Sequence, residues 1–292
     1  MIIGIIKKLV KSPLSFTNKL KAIFRFIKWQ ISQSINQFPI VYPFTENSKL
    51  LIKKSMTGAT GNLYYGLDEF YDMGFLLHLL REDDVFVDVG ANIGSYTILA
   101  SAEIGAKSIS VEPAPSTFGF LTDNISLNNI GDLVEMHNIA LADNNGLIRF
   151  TETQDTVNHV STDNDKDVIE VQVDTLDNII KATNPCLIKI DVEGYESEVL
   201  KGASETLKNP FLKALIVELN GSGKRYGYDD KNVHKKLIDN GFRPYKYNPL
   251  SRSLSPAETF GNLNTIYIRD IDFVSKRVSE ARKIKVNDFF LI

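Results

Sequence analysis

The sequence predicts an α/β protein with an open, mostly parallel β-sheet that carries helices on both faces. An apolar segment, residues 84–89, is followed by a glycine-containing turn and then by a helix-like segment, residues 94–104. From there to residue 240, strand-like and helix-like segments largely alternate along the chain. This alternation is typical of doubly wound sheets, which bind their ligands outside the carboxyl ends of the strands.

The pattern divides the chain into four segments. We expect a basic amphipathic helical arm at residues 1–45, a helical lid or cap at 46–83, a core domain at 84–270 and a C-terminal tail at 271–292. A hairpin-like insertion at 143–173 interrupts the core with paired strands around a polar loop. The remaining predicted core strands are 107–112, 133–141, 186–191 and 212–219, with an antiparallel edge pair at 242–247 and 263–269.

The turn after the first core strand predicts a ligand site. Asp88 lies at the end of the strand. Gly90, Asn92 and Gly94 then occupy every second position of the turn that leads into the helix. The second predicted strand ends in Glu112, 22 residues after Gly90. An acid at that offset lies beside the glycine turn and can accept hydrogen bonds from ribose hydroxyls. The two features together indicate a nucleoside-bearing cofactor.

The spacing of the turn narrows the choice of cofactor. A dinucleotide site reads Gly-x-Gly-x-x-Gly, whereas this turn reads Gly-x-Asn-x-Gly and has Asp88 two residues upstream. A carboxylate in the turn repels a pyrophosphate but suits a cofactor that carries an ammonium and a sulfonium. The residues therefore favour S-adenosylmethionine, with a dinucleotide site and a plain strand-to-helix turn as the alternatives.

Three stretches resemble the FkbM family of S-adenosylmethionine-dependent methyltransferases. They are Asp88-Val-Gly-Ala-Asn-Ile-Gly-Ser-Tyr-Thr97, Val111-Glu-Pro113 and Leu187-Ile-Lys-Ile-Asp-Val-Glu-Gly-Tyr-Glu196. The resemblance spans roughly residues 58–220 and implies a class I methyltransferase, a Rossmann-like fold with a seven-stranded sheet. It also implies O-methylation, often of a saccharide or polyketide hydroxyl.

The same resemblance assigns roles around the turn. It implies that Asp88 and the turn hold the methionine end of the cofactor, while Glu112 holds the ribose. Backbone groups at the end of the third strand could read the adenine edge. The predicted cofactor-binding residues are Asp88, Gly90, Ala91, Asn92, Gly94, Glu112, Asn138 and Ala140.

Candidate catalytic residues follow from the chemistry of methyl transfer to oxygen. The protein must align the acceptor with the methyl group and remove the hydroxyl proton. The predicted catalytic residues are Asp191 and Glu218, at strand ends, and His159, in the polar loop of the insertion. The general base stays open among these three and Glu193. His159 has the most suitable ordinary pKa for a base, although a solvated loop histidine is the simpler interpretation.

Lys189 lies two residues before Asp191 and shares its face of the strand. A lysine in a buried strand needs a partner, so we expect an ion pair with Asp191 or with Glu218. No metal cluster is predicted from the histidines. A carboxylate-bound Mg²⁺ at Asp191 and Glu218 stays open.

Two loops could contact the acceptor. Tyr64, Tyr65 and Glu69 precede the first core strand and could lie over the cleft. Residues 221–228 combine glycines with two basic residues and two tyrosines, and aromatic faces of this kind suit a sugar ring. Ordinary surface packing is the alternative in both places.

The arm is strongly basic. It carries seven lysines or arginines and no acid before Glu46; because the whole chain has a net charge of −3, the remainder carries −10. Leu20, Phe24, Ile27 and Ile31 have helical spacing. Such a helix can lie on an anionic membrane, or it can dock its apolar stripe on the catalytic domain or on a second copy of the chain.

Composition sets the remaining expectations. The single cysteine, Cys186, allows no disulfide framework within the chain, which fits a cytoplasmic protein, with peripheral membrane contact possible through residues 1–40. The segregated charge argues against nucleic acid as a partner. The resemblance implies a small-molecule or glycan acceptor, and a homo-oligomer is possible. Alternatives are an N-directed or protein- or polyketide-directed methyltransferase, and a non-catalytic scaffold that keeps the fold.

Overall fold

A computed structural model gives the fold of the chain. It describes residues 23–24, 26–31, 38–53, 56–152, 157–162, 165–181, 183–287 and 290–292. In chain order, the strands are β1 (Ile40–Pro43), β2 (Lys49–Ile52), β3 (Val85–Val89), β4 (Lys107–Val111), β5 (Val134–His137), β6 (Ala140–Leu141), β7 (Gly146–Thr151), β8 (Val168–Asp174), β9 (Leu187–Ile190), β10 (Ala214–Glu218), β11 (Arg243–Asn248), β12 (Ser253–Pro256), β13 (Asn264–Ile268), β14 (Lys285–Val286) and β15 (Phe290–Leu291).

Helices connect most of the core strands. The α-helices are α1 (Thr57–Tyr65), α2 (Phe70–Leu79), α3 (Ser95–Ile98), α4 (Pro115–Leu127), α5 (Leu176–Ile179), α6 (Glu196–Lys201), α7 (Asp230–Asp239) and α8 (Ile271–Ser279). A π-helical segment, Leu99–Ile104, continues α3, so the predicted helix at 94–104 is present with a widened second half.

The central sheet has the strand order β12-β11-β13-β10-β9-β3-β4-β5. Strands β10, β9, β3, β4 and β5 run parallel, whereas β13 runs antiparallel to both β10 and β11. The predicted Rossmann-like α/β class is confirmed, but the sheet has eight strands and not seven. The extra strand is β12, a short polar edge strand whose sequence lacks the apolar alternation that would have predicted it.

Each central strand faces two separate cores. Phe86 and Leu187 point into a core built with α2, α8 and the α3 region. Val87 and Ile188, the next residues on the same strands, point into a second core built with α5, α6 and α7. Because side chains alternate along a strand, helices therefore cover both faces of the sheet.

The predicted strand at 133–141 is broken into two strands. β5 stays in the central sheet, while β6 joins a separate three-stranded sheet with the order β6-β8-β7. Between them, the Asn138 side chain donates hydrogen bonds to the carbonyls of Glu112 and Pro113, at 2.8 and 3.1 Å. The predicted pairing of 146–151 with 168–173 is confirmed as the antiparallel pair β7–β8.

The segments outside the core domain differ from the expected arm and tail. The predicted helical arm includes strand β1, which pairs with β2, and only residues 23–24 and 26–31 are described as helical before it. The predicted tail contains α8 and the β14–β15 hairpin, whose Ile284, Val286 and Ile292 are buried in the first core. Among the described residues, no helix has the length and apolar content needed to cross a bilayer.

We predict that the C-terminal hairpin contributes to global stability. Ile284 is fully buried, so Ile284→Ala should lower the free energy of unfolding by about 2–4 kcal/mol, the usual cost of a cavity in a core. Leu291 in the same hairpin is 56% exposed, and Leu291→Ala should change stability by less than about 0.5 kcal/mol. Urea unfolding of both variants tests this. Equal and small effects would show that the hairpin is not part of the core.

Candidate active site

A cleft of about 330 Å³ opens at the carboxyl ends of β3, β4, β9 and β10. The loop between α1 and α2, the start of the α3 region and strands β6 and β7 complete its wall. Both the glycine turn and the acids that the sequence placed at strand ends line it. The cleft therefore lies where open α/β sheets bind ligands.

The glycine turn is held against the neighbouring strand end. Gly90 has a φ of +80°, and a Cβ added there would lie 1.8 Å from the carbonyl oxygen of Asp191. The positive φ favours glycine, and the protein's own backbone leaves no room for a side chain at this position. Gly94 also has a positive φ and lies outside the cleft, because it packs closely on Leu121 of α4.

Asp88 presents one unpaired oxygen in the cleft wall. Its Oδ2 accepts hydrogen bonds from the backbone N–H and the hydroxyl of Thr97, at 3.1 and 2.7 Å. Its Oδ1 is buried and has no partner among the described residues. Burial raises the pKa of Asp88, and Lys189 opposes that shift. A free carboxylate oxygen at this depth is suited to a ligand that brings a positive charge or N–H donors.

Glu112 is fixed by two backbone donors. Its two carboxylate oxygens accept hydrogen bonds from the N–H groups of Asn92 and Ala114, each at 3.0 Å. Burial raises the pKa of Glu112 to about 7 although these two bonds lower it. Each oxygen keeps a lone pair that can accept a hydrogen bond from a hydroxyl group.

Asn138 and Ala140 have different places in the site. Ala140 lines the cleft, together with Ile139 and Leu141. Asn138 does not line it; its amide holds the Glu112–Pro113 loop through the two bonds described above. The Asn138 side chain therefore positions the Glu112 loop, and direct binding of a cofactor by Asn138 stays a prediction.

Three carboxyl groups meet beside the turn. Asp191, Glu193 and Glu218 each present an oxygen within 4.8 Å of those of the other two. Glu193 joins the two predicted acids because its backbone has a φ of +54°, a conformation that the sequence does not announce. Acidic groups of this kind hold cations in some proteins and none in many others, so the cluster by itself assigns no metal.

The three carboxyls have unequal affinities for protons. Burial, followed by repulsion from Asp191 and Glu193, raises the pKa of Glu218 to about 9. Burial and Asp191 raise the pKa of Glu193 to about 7. At neutral pH the cluster therefore holds at least one proton, and it titrates as a coupled unit.

Lys189 supplies the positive charge of this region. Its Nζ lies 2.7 Å from Oδ2 of Asp191, which confirms the predicted ion pair, and 4.9 Å from the centre of the Tyr96 ring. Burial lowers the pKa of Lys189, but Asp191, Glu69 and Asp88 outweigh that effect and raise it above its usual range. Lys189 is therefore a permanent cation.

The segment before β3 contributes Glu69 and not its tyrosines. Glu69 lines the cleft, where it accepts hydrogen bonds from the Tyr96 hydroxyl at 2.6 Å and the Asn264 amide at 2.8 Å. Tyr64 and Tyr65 are buried elsewhere. No sequence spacing could have indicated Asn264, since it lies 195 residues from Glu69.

His159 is not part of the cleft. It is buried, with Nδ1 2.8 Å from the carbonyl of Val157 and Nε2 3.3 Å from the Asp165 carboxylate. Its neighbours Asn158 and Val160 line the cleft, so extended backbone directs His159 to the other side. The structure thus places His159 away from the cleft, and its burial contradicts the solvated alternative.

Aromatic residues gather at the edge of the cleft. Tyr195 lines it, and the ring centres of Tyr226 and Tyr228 lie 5.2 and 6.4 Å from that of Tyr195. The Tyr226 hydroxyl donates to the carbonyl of Val160 at 2.7 Å and so joins this loop to the insertion. The predicted aromatic loop therefore lies next to the cleft.

The fold and the cleft define a Rossmann-like α/β protein with a cleft at the carboxyl ends of its central strands. The chain belongs to the FkbM methyltransferase family, because the family model for the methyltransferase FkbM domain matches residues 88–244. The resemblance found in the sequence is confirmed.

Two curated relatives and one solved structure are similar to the chain. Hexuronic acid methyltransferase AglP of Haloferax volcanii is 34% identical over 167 residues, which cover 56% of this chain and 65% of AglP. Methyltransferase 1 of Beauveria bassiana is 27% identical over 165 residues, 48% of this chain and 64% of that protein. The chain thus spans slightly less than two thirds of either relative. The crystal structure of an FkbM methyltransferase from Methylobacillus flagellatus KT has 18% identity and a TM-score of 0.46, covering 73% of this chain and 55% of that one.

We predict that Gly90 is required for the contact between the two strand ends. Gly90→Ala should lower the free energy of unfolding by more than about 3 kcal/mol, since it adds a backbone clash to the cost of a positive φ. Gly241 has a similar φ of +88° and open space around it, so Gly241→Ala should cost only about 1 kcal/mol. Urea unfolding compares the two variants. Similar losses would mean that the strand ends separate easily.

Proposed function

We propose that the protein transfers a methyl group from S-adenosylmethionine to a hydroxyl group of a saccharide or related acceptor. The observation that carries the proposal is the cleft itself, where an unpaired Asp88 oxygen, the Glu112 carboxylate and the carboxyl cluster line one wall. Membership of the FkbM family supports methyl transfer. The name of AglP, a hexuronic acid methyltransferase, supports a sugar acceptor.

The residues present fit the cofactor. Asp88 offers a free, buried oxygen to the ammonium of the methionine end, and Glu112 offers two oxygens to ribose hydroxyls. Ile139, Ala140 and Leu141 give an apolar surface for the adenine. When bound, the cofactor supplies an activated methyl group on a sulfonium.

The carboxyl cluster favours an acceptor group that carries no charge, such as a hydroxyl. The three carboxyl groups, whose oxygens lie within 4.8 Å of one another, would repel an acceptor carboxylate placed beside them. A hydroxyl can instead donate a hydrogen bond to this cluster. Tyr195 and the tyrosines beside it provide an aromatic surface on which a sugar ring can lie.

The same cluster can take the hydroxyl proton. Lys189 holds Asp191 in place through their ion pair, so Asp191 can orient the hydroxyl. Glu193, with a pKa of about 7, is partly ionised at neutral pH and can accept a proton, whereas Glu218, with a pKa of about 9, already carries one. In this proposal the three carboxyls act as one proton acceptor, with alignment of the acceptor as the second contribution.

Replacing Glu112 should weaken cofactor binding. Glu112→Gln removes the charge and one acceptor while keeping the side-chain size, so the affinity for S-adenosylhomocysteine should fall by about 2 kcal/mol. Because the pKa of Glu112 is about 7, wild-type affinity should also decline as the pH falls below 7, whereas the variant should lack this dependence. Calorimetry at several pH values measures both effects.

Glu135→Gln is the matched control, because Glu135 is an exposed carboxylate at the edge of the same sheet, on β5. It should bind as the wild type does. If Glu112→Gln binds S-adenosylhomocysteine as tightly as the wild type does, Glu112 does not bind the ribose. If the wild type does not bind it at all, the proposed cofactor is wrong.

Neutralising the cluster should slow turnover. Once a tritiated-methyl screen of cell-extract fractions has identified an acceptor, Asp191→Asn and Glu193→Gln should each lower kcat by about 10²–10⁴, with cofactor affinity little changed. Asp191→Asn should also lower Tm, since Lys189 loses its partner. Glu193→Gln leaves the Lys189–Asp191 pair in place, so it separates an effect on turnover from an effect on stability. Normal turnover in both variants would mean that the protein accelerates methyl transfer mainly by aligning the acceptor with the methyl group.

A further inference from the structure

The helix at residues 23–24 and 26–31, here called the arm helix, docks on the domain through two aromatic residues. Phe26 and Trp29 are each only 4% exposed and belong to the first core. The Phe26 ring lies 5.1 Å from that of Tyr64 in α1, and the Gln30 amide donates to the Tyr64 hydroxyl at 3.0 Å. The docked face is therefore not the stripe that the sequence predicted.

The predicted stripe points to solvent instead. Phe24 is 69% exposed, Ile27 47% and Ile31 55%. Their i, i+3 and i+7 spacing places them on one side of the helix, and Lys28 beside them is also exposed. The arm helix thus has an aromatic face buried against the protein and a second, solvent-exposed apolar face, here called the open face.

The part of the sequence that contains this face is basic. Residues 1–45 carry seven basic side chains and no acidic one, while the rest of the chain carries a net charge of −10. An exposed apolar face in a basic segment is complementary to an anionic lipid surface. Three side chains cover much less area than a stable protein dimer needs, about 1,200–2,000 Å² in total, so a second copy is a poorer occupant.

We propose that the open face of the arm helix, Phe24, Ile27 and Ile31, binds the surface of an anionic bilayer. The helix lies in the interface with its apolar side chains among the acyl chains, and Lys28 contacts the headgroups. The opposite face, with Phe26 and Trp29, connects the arm helix to the domain. Through Tyr64 the arm helix touches α1, and α1 supplies Asn62 to the cleft wall, so the cleft is held near the lipid.

Point substitutions test this better than deletion. Removal of residues 1–40 would take away the buried Phe26 and Trp29 and damage the core. Phe24→Ser with Ile27→Ser changes only exposed positions. The matched control is Leu147→Ser with Phe211→Ser, which removes side chains that are 61% and 57% exposed elsewhere on the surface.

The experiment is co-sedimentation of the full chain with mixed phosphatidylglycerol–phosphatidylcholine vesicles and with pure phosphatidylcholine vesicles. The wild type and the control should bind the mixed vesicles alike, and added salt should weaken binding. Phe24→Ser with Ile27→Ser should bind about tenfold or more weakly, with an unchanged Tm and unchanged affinity for S-adenosylhomocysteine.

Four results would overturn the proposal. Equal binding to pure phosphatidylcholine would exclude recognition of anionic lipid. Equal binding by the Phe24→Ser, Ile27→Ser variant and the wild type, or no binding at all, would exclude this face. A dimer in sedimentation equilibrium that this variant abolishes, without vesicle binding, would identify a second copy as the occupant.

Discussion

The buried ammonium of Lys189 is the interaction on which the site depends. It lies on the central strand β9, pairs with Asp191 at 2.7 Å and is opposite Asp88 in the β3–β9 register. Three carboxylates, Asp191, Glu69 and Asp88, raise its pKa in spite of burial. Without this cation, the acids that converge on the strand ends would repel one another in a region that water reaches poorly. The lysine therefore allows a concentration of acidic groups in the cleft wall.

Backbone contacts set the positions of those acids. The close approach of Gly90 to the Asp191 carbonyl brings the ends of β3 and β9 together, and Glu112 joins the turn to the end of β4 through the N–H of Asn92. Asn138 extends this network to the end of β5. All of these contacts join groups of the protein itself, so they restrict the positions of the side chains that a cofactor would contact. Such preorganisation reduces the entropy lost on binding.

Three segments outside the central sheet, the insertion, the aromatic loop and the segment before β3, lie around the same cleft. The insertion contributes Phe150 and Val160 to its wall, and the Tyr226 hydroxyl connects Val160 to the aromatic loop. On the other side, Glu69 joins the segment before β3 to Tyr96 and Asn264. Elements far apart in the sequence therefore form one wall. The acceptor proposed here would contact mainly these additions, while the cofactor would contact the strand ends.

The sequence by itself determined the fold class, the glycine turn, the places of Asp88 and Glu112 and the Lys189–Asp191 pair. These features depend on local patterns: apolar runs, glycine spacing, and residues that share one face of a strand. The tertiary structure alone decided that Glu193 joins the carboxyl cluster, that Asn264 binds Glu69 and that Asn138 supports the Glu112 loop. It also placed His159 outside the cleft and exposed the stripe of Phe24, Ile27 and Ile31. Local pattern could not settle these points, because the direction of each side chain depends on backbone angles and on partners far away in the chain.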